Sequence, residues 1–255
     1  MLNNLSLFLA LGASGLVSAS PIANISTKVP SPPDSSTSQG FRLVARTTDP
    51  FNSLSEAIEG TVLEALHVGS SDRIPILQKP DAQNSGRVFY FDKPPQKESL
   101  SLLTDSSASS GGRSGPVVSY GFSVQPPTDS TQENDKEQNV LLQVGGASRS
   151  TPVSLATIPI PSRGIFLVND QGCGTFMACN RSIPYYNQEA MMTVEYFYAS
   201  DSSTDAEDKF MVPEACVPIR LVPICADLPA LPPDSPANHD YVQPASCYIN
   251  MSGSL

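Results

Sequence analysis

Phe41, Leu43 and Ala45 alternate with Arg42, Val44 and Arg46, a period of two that fits a half-buried strand and no helix. Similar short runs recur at 87–91, 100–103, 117–124, 140–144, 153–158, 164–168, 175–179, 191–198 and 217–222, and many of their residues are β-branched or aromatic. Between them, 104–115, 126–138 and 199–209 are rich in Ser, Asp, Glu, Gly or Pro and have no apolar periodicity, so they read as loops. A chain punctuated this way is all-β. Its expected architecture is a β-sandwich with a disulfide-tied, proline-rich C-terminal segment, and the alternative is a β-trefoil-like arrangement.

One segment departs from the pattern. Ser53 and Glu56 have the spacing of a capping box, and Leu54, Ala57, Ile58, Val62, Ala65 and Leu66 follow at helical intervals before Gly69. Gly60 weakens the middle, and 61–68 also fits a strand with Val62, Leu66 and Val68 inward. A short helix followed by a strand is the expectation. The tail 213–244 carries eight prolines, with Pro218 and Pro223 between Cys216 and Cys225. Proline removes ladder donors, so an edge strand followed by an irregular wrap over the sheet is expected there.

The chain opens on an uncharged leader. Residues 5–17 form an apolar core too short to span a bilayer, and Val17-Ser18-Ala19 before Ser20 fits signal-peptidase cleavage. Residues 1–19 are therefore expected to be a signal peptide. Residues 20–39 contain six serines, two threonines and four prolines, and are expected to be a disordered arm unable to bury enough apolar surface to order itself. Residues 40–255 then make a single β-rich domain. The formal charge of 15 − 25 = −10 repels phosphate backbones and anionic lipid, which argues against nucleic acid and membrane as partners.

Cys173, Cys179, Cys216, Cys225 and Cys247 all lie in the last third of the chain. In an oxidising compartment five cysteines give two bridges and one spare thiol, and spacing does not select among the possible pairings. Cys173, between Gly172 and Gly174, is the best candidate for the spare. No C-x-x-C pair exists and only two histidines are present, so zinc is not expected, nor any other cofactor. Asn24, Asn180 and Asn250 stand in N-x-S sequons as glycosylation candidates.

No catalytic motif emerges. Glu195 is the most interesting carboxylate, but the alternation along 191–198 puts it on the outward face, where it needs no function. His239 has Asp240 beside it, yet no G-x-S-x-G nucleophile elbow occurs after the leader, and His67 reads as a structural residue. Asp129, Glu133, Asp135 and Glu137, with Asp201, Asp205, Glu207 and Asp208, read as solvated loop charge rather than calcium ligands. Tyr185 and Tyr186, after Pro184, are the candidates for ligand contact, because tyrosine pairs an apolar ring with a polar tip.

Gly40-Phe41-Arg42-Leu43-Val44-Ala45-Arg46, Asp49-Pro50, His67-Val68-Gly69 and Gly86-Arg87-Val88-Phe89-Tyr90 occur in order. They are followed by Gly174-Thr175-Phe176-Met177-Ala178-Cys179, Pro184-Tyr185-Tyr186, and Cys216-Val217-Pro218-Ile219-Arg220-Leu221-Val222-Pro223 leading to Cys225-Ala226-Asp227-Leu228-Pro229. This set resembles an uncharacterised family of secreted proteins from filamentous ascomycete fungi, a domain of unknown function, over about residues 40–248. The resemblance implies an extracellular setting and no activity. It also implies a four-cysteine pattern of Cys179, Cys216, Cys225 and Cys247, to which Cys173 is additional. The resulting expectation is a secreted, non-enzymatic extracellular or cell-wall protein that binds carbohydrate or an extracellular protein. The alternatives are a secreted polysaccharide hydrolase and an effector or structural protein with a protein partner.

Overall fold

The alternating runs become strands, and their register aligns the apolar side of each into one interior. The computed structural model describes residues 34–69, 72–110, 113–125, 137–144, 152–158, 164–170, 174–187, 189–198, 212–213 and 215–250. Its elements are β1 (Ser35–Ser38), β2 (Gly40–Thr47), α1 (Ser55–Ile58), β3 (Val62–His67), β4 (Asp72–Gln78), β5 (Val88–Asp92), β6 (Ser101–Ser110), β7 (Arg113–Val124) and β8 (Glu137–Val144). They continue with β9 (Val153–Ile158), β10 (Gly164–Asn169), β11 (Gly174–Ile183), a 3-10 turn at Pro184–Tyr186, β12 (Glu189–Tyr198), β13 (Cys216–Ala226), β14 (Val242–Gln243) and β15 (Ala245–Tyr248). The leader at 1–19, Asn24, Cys173 and most of the acidic loop residues considered for calcium lie outside the described residues.

The all-β expectation holds, but the strands do not divide into the two facing sheets of a sandwich. The ladder runs β2–β5–β6–β7–β8–β4–β12–β11–β13 and returns to β2, closing a nine-strand barrel in which every pair is antiparallel. Closure removes the free edges that an open sheet of this size would present. Strand β3 lies against both β2 and β4, and the β9–β10 hairpin forms a separate two-stranded sheet.

The barrel interior follows period two on each strand. Phe41, Leu43 and Ala45 of β2 meet Phe89 and Phe91 of β5, Phe122 and Val124 of β7, and Val140 and Leu142 of β8. Phe176 and Ala178 of β11, Val194 and Tyr196 of β12, and Val217, Ile219 and Leu221 of β13 complete the same cluster. Val153 and Leu167 of the β9–β10 hairpin also belong to it, so that hairpin is fastened by its apolar side chains rather than by ladder bonds.

Four local expectations need correction. The serine-rich stretch read as a loop extends the β6–β7 ladder to the pair Ser110–Arg113, with a bulge between Ser107 and Ser109. Main-chain pairing propagates from the Leu103–Gly121 rung without apolar side chains. The end of the expected disordered arm, Ser35–Ser38, forms β1 on the open edge of β15, and the Ser38 hydroxyl donates to the Ala226 carbonyl at 2.9 Å. In the third case, the helix-then-strand expectation for 53–68 holds, but without its capping box. Leu54 is the cap residue and makes no side-chain cap bond, while the Ser55 hydroxyl turns back to the Asp49 carbonyl. Gly60, at φ +75°, ends the turn earlier than the expected Gly69, because an L side chain is strained there.

The fourth correction concerns proline. Strand β13 is interior, pairing with β11 over Cys216–Ile219 and with β2 over Ile219–Ala226, despite Pro218 and Pro223. A strand residue aims its N and its carbonyl to the same side. The Pro218 carbonyl accepts from the Thr48 amide at 3.0 Å, so its missing donor falls at the very end of the β2 ladder and not on β11. Ala45 aims its amide and carbonyl at Thr61 and Gly60, away from β13. By the same parity the Leu43–Pro223 pair is a non-hydrogen-bonded one, and Pro223 costs no β2 rung.

Beyond β13 the expected irregular wrap is present. Leu228 and Val242 pack on Tyr90 and Leu103 outside the barrel, β14 pairs with β5, and the Ser235 hydroxyl donates to the Val117 carbonyl. Disulfides join Cys179 to Cys216, between β11 and β13, and Cys225 to Cys247, between β13 and β15. Among the described residues, no helix is long and apolar enough to cross a membrane.

Candidate functional site

Strand β11 ends at Pro184, whose ring fixes the backbone for a 3-10 turn, and Asn187 adopts the left-handed conformation that returns the chain into β12. This turn separates the two adjacent tyrosines. Tyr186 donates its hydroxyl to the His67 carbonyl at 2.9 Å, which pins the hairpin to the end of β3. Tyr185 is 58% exposed, its ring edge-on to His67 at 5.9 Å and to Tyr186 at 5.2 Å. Of the two, Tyr185 is the more exposed, and its ring is braced by these neighbours.

Below Tyr185 lies a cleft of about 390 Å³, where the ends of β3 and β11 come beside β4, β8 and β12. Its polar lining comes from Asn139, Arg181, Ser182, Thr193 and Glu195, and its apolar lining from Val68, Ile74, Val140, Ile183 and Val194. A concave site of this size with a few convergent polar groups suits a small ligand.

Glu195, read from the alternation as an outward carboxylate that needs no function, lines this cleft. It does face outward, yet it is buried, because Met177, Cys179, Phe197 and Cys216 make a second apolar cluster on that face. Arg181 answers its charge with two bonds, Nε to Oε1 at 2.8 Å and Nη2 to Oε2 at 2.7 Å, and the Thr193 hydroxyl donates to Oε1 at 3.0 Å. Paired this way, the carboxylate can be buried and still remain ionised. Sequence reasoning missed Arg181. The available signal was its place on β11 beside the expected strand 175–179, on the same face as Cys179.

The other sequence candidates resolve differently. His239 does not use Asp240; its Nε2 lies 2.7 Å from Asp105 Oδ2. Asp105 also accepts from Tyr90 at 2.8 Å and from Ser119 at 2.9 Å. Ser119, Asp105 and His239 thus meet, but the carboxylate sits between the hydroxyl and the imidazole, whereas a serine nucleophile needs the imidazole between the other two. Burial pushes the Tyr90 phenol well above the ordinary tyrosine range, which keeps it a donor. The cluster pins the C-terminal wrap to the barrel.

Cys179, Glu195 and Cys216 each place a potential ligand atom within 4.8 Å of the others. The disulfide uses both sulfurs, and Arg181 holds the carboxylate, so the oxidised protein offers a metal no donor set there. Asn180 and Asn250 are both exposed, as glycosylation would require.

The fold and cleft define a disulfide-tied antiparallel β-barrel protein whose outer wall carries an aromatic-edged polar cleft. A family model described as a domain of unknown function (DUF7907) matches residues 38–225, and the chain belongs to this family. The chain is also 31% identical over 238 residues to the antigenic protein SchS34 of Stachybotrys chartarum, covering 92% of this chain and 96% of that protein. No solved structure matches it.

Proposed function

We propose that this is a secreted, non-enzymatic binding protein that takes a carbohydrate ligand in the Tyr185 cleft. The observation that carries the reading is the exposed Tyr185 ring beside Asn139, Ser182 and the Arg181–Glu195 pair. Sugars present an apolar C–H face and a rim of hydroxyls, which call for an aromatic platform next to planar hydrogen-bonding groups. Secretion is supported by the leader at 1–19 and by two disulfides, which persist in oxidising compartments. The antigenic name of the fungal relative is compatible with exposure outside the cell.

The hydrolase alternative is less favoured. Glycoside hydrolysis canonically uses two carboxylates across the scissile bond, and among the described residues lining the cleft Glu195 is the only one, already gripped by Arg181. The test is retention of the secreted protein on chitin, β-glucan, cellulose and xylan, with soluble sugar assayed in parallel. Retention without release, abolished in Tyr185→Ala, supports the reading. Sugar release lost in Glu195→Gln establishes the hydrolase instead, and no retention on any polymer turns the search to a protein partner.

A further inference from the structure

A second, larger cavity of about 650 Å³ lies between the β9–β10 hairpin and the wall formed by β11 and β13. Its lining is mainly apolar and aromatic, with Phe166, Leu167, Phe176, Tyr196 and Ile219 prominent. This volume falls within the range of sites that engulf small organic ligands. Among the described residues, the hairpin forming one side has no ladder bond to the barrel, and its Ile165 amide donates instead to the Tyr248 hydroxyl at 2.8 Å.

Among the described lining residues, Arg220 is the one that carries a charge. The Arg220 guanidinium lies over the Phe166 ring at 5.0 Å and has no ion-pair partner among the described residues. Its cross-strand neighbour on β2 is Arg46, whose own charge is answered by Glu59. Among the described residues, no carboxylate answers this half-buried cation beside the apolar cavity. Stacking on Phe166 holds the guanidinium fork in place, which lowers the ordering cost of a bidentate bond.

We infer that this cavity binds an amphipathic organic anion, a carboxylate carried on an apolar chain, with the chain against Phe176, Tyr196 and Leu167 and the carboxylate on Arg220. The inference is independent of the Tyr185 cleft, with which this cavity shares no lining residue.

The experiment is a fluorescence titration of the full secreted protein with dansyl-labelled undecanoic acid, kept below its micelle concentration, followed by displacement with lauric acid or dodecanol. Saturable one-site binding is expected, displaced by lauric acid at least about tenfold more effectively than by the uncharged alcohol. Arg220→Gln should weaken binding by about tenfold or more, and Arg220→Lys, which keeps the charge but loses the stacked fork, should fall between Arg220→Gln and the parent. Val168→Trp fills the cavity from its half-exposed wall and should abolish binding. Unsaturable binding, equal displacement by dodecanol, or full affinity in Arg220→Gln or Val168→Trp would each overturn the inference.

Discussion

Arg181 reaches past the Cys179–Thr193 rung of the β11–β12 ladder to close a two-point grip on Glu195, which lies opposite Met177. The two partners are not equally placed. The Glu195 side chain is 7% exposed and that of Arg181 is 34% exposed, so Arg181 brings its charge to the carboxylate from the solvent side. The cleft floor is therefore a buried anion held by a partly hydrated cation, and the pair fixes where the polar groups beneath Tyr185 point.

That asymmetry sets the order of two substitutions. Arg181→Ala strands an ionised or newly protonated carboxylate in an apolar cluster and should destabilise the fold by about 3 kcal/mol. Glu195→Gln leaves an arginine that turns to water and an amide that keeps the Thr193 contact, for about 1 kcal/mol. Urea denaturation of both variants checks the order. Equal losses, or a greater loss for Glu195→Gln, would show that the carboxylate is better hydrated than its burial implies.

The two disulfides should act on different parts of the molecule. They close sequence separations of 37 and 22 residues, which in the chain-entropy account correspond to about 4 and about 3 kcal/mol. Cys179–Cys216 joins two barrel strands that already pair, so its removal by paired alanines should lower global stability. Strand β15 meets β13 through the single pair Ile224–Tyr248, so removing Cys225–Cys247 should first release β1 and β15. Amide hydrogen exchange by mass spectrometry should show faster exchange at 35–38 and 245–248, with β5 to β8 unchanged.

Period two made most of the barrel legible in the sequence, because each strand carries one buried face and alternation records it. What alternation does not carry is which strand neighbours which, and so closure into a barrel was not visible. β4 went unread because Pro75 interrupts its pattern, and β1 because its serines contribute only main-chain bonds to β15. Interior placement of β13 was masked by its prolines, whose cost depends on which side each nitrogen faces. In the site, Tyr185 stood out by residue type alone. Arg181, Asn139 and the Arg220 cavity depend on contacts between β8, β11, β12 and β13 that no local pattern encodes.

Gly174 should tolerate no side chain. A Cβ there would lie 2.3 Å from the Phe197 carbonyl oxygen and 2.6 Å from the Tyr196 hydroxyl, and the first of these is backbone in the neighbouring strand. Gly174→Ala should cost about 2 kcal/mol and lower the melting temperature by roughly 5 °C. Gly69→Ala, with nothing within 4 Å of its added carbon, should change stability by less than about 0.5 kcal/mol. Thermal melts of the two variants check the contrast, which a general preference for glycine would not produce.

Tyr90 should give the fold an alkaline weakness. Its hydroxyl donates to Asp105 at 2.8 Å and its ring stands 4.9 Å from that of His239, under the C-terminal wrap. Burial raises its pKa in the folded state, whereas the unfolded phenol ionises near about 10. The folded state therefore keeps a proton that the unfolded state has lost. Its contribution is complete below pH about 10 and is withdrawn as pH rises above that value. Tyr90→Phe removes the bond to Asp105 at every pH, for about 1 kcal/mol, but it also removes the titrating group. Urea midpoints at pH 8, 9, 10 and 11 should start lower in the variant and fall less steeply above pH 10. Parallel curves for parent and variant would mean that the phenol under the wrap is open to water.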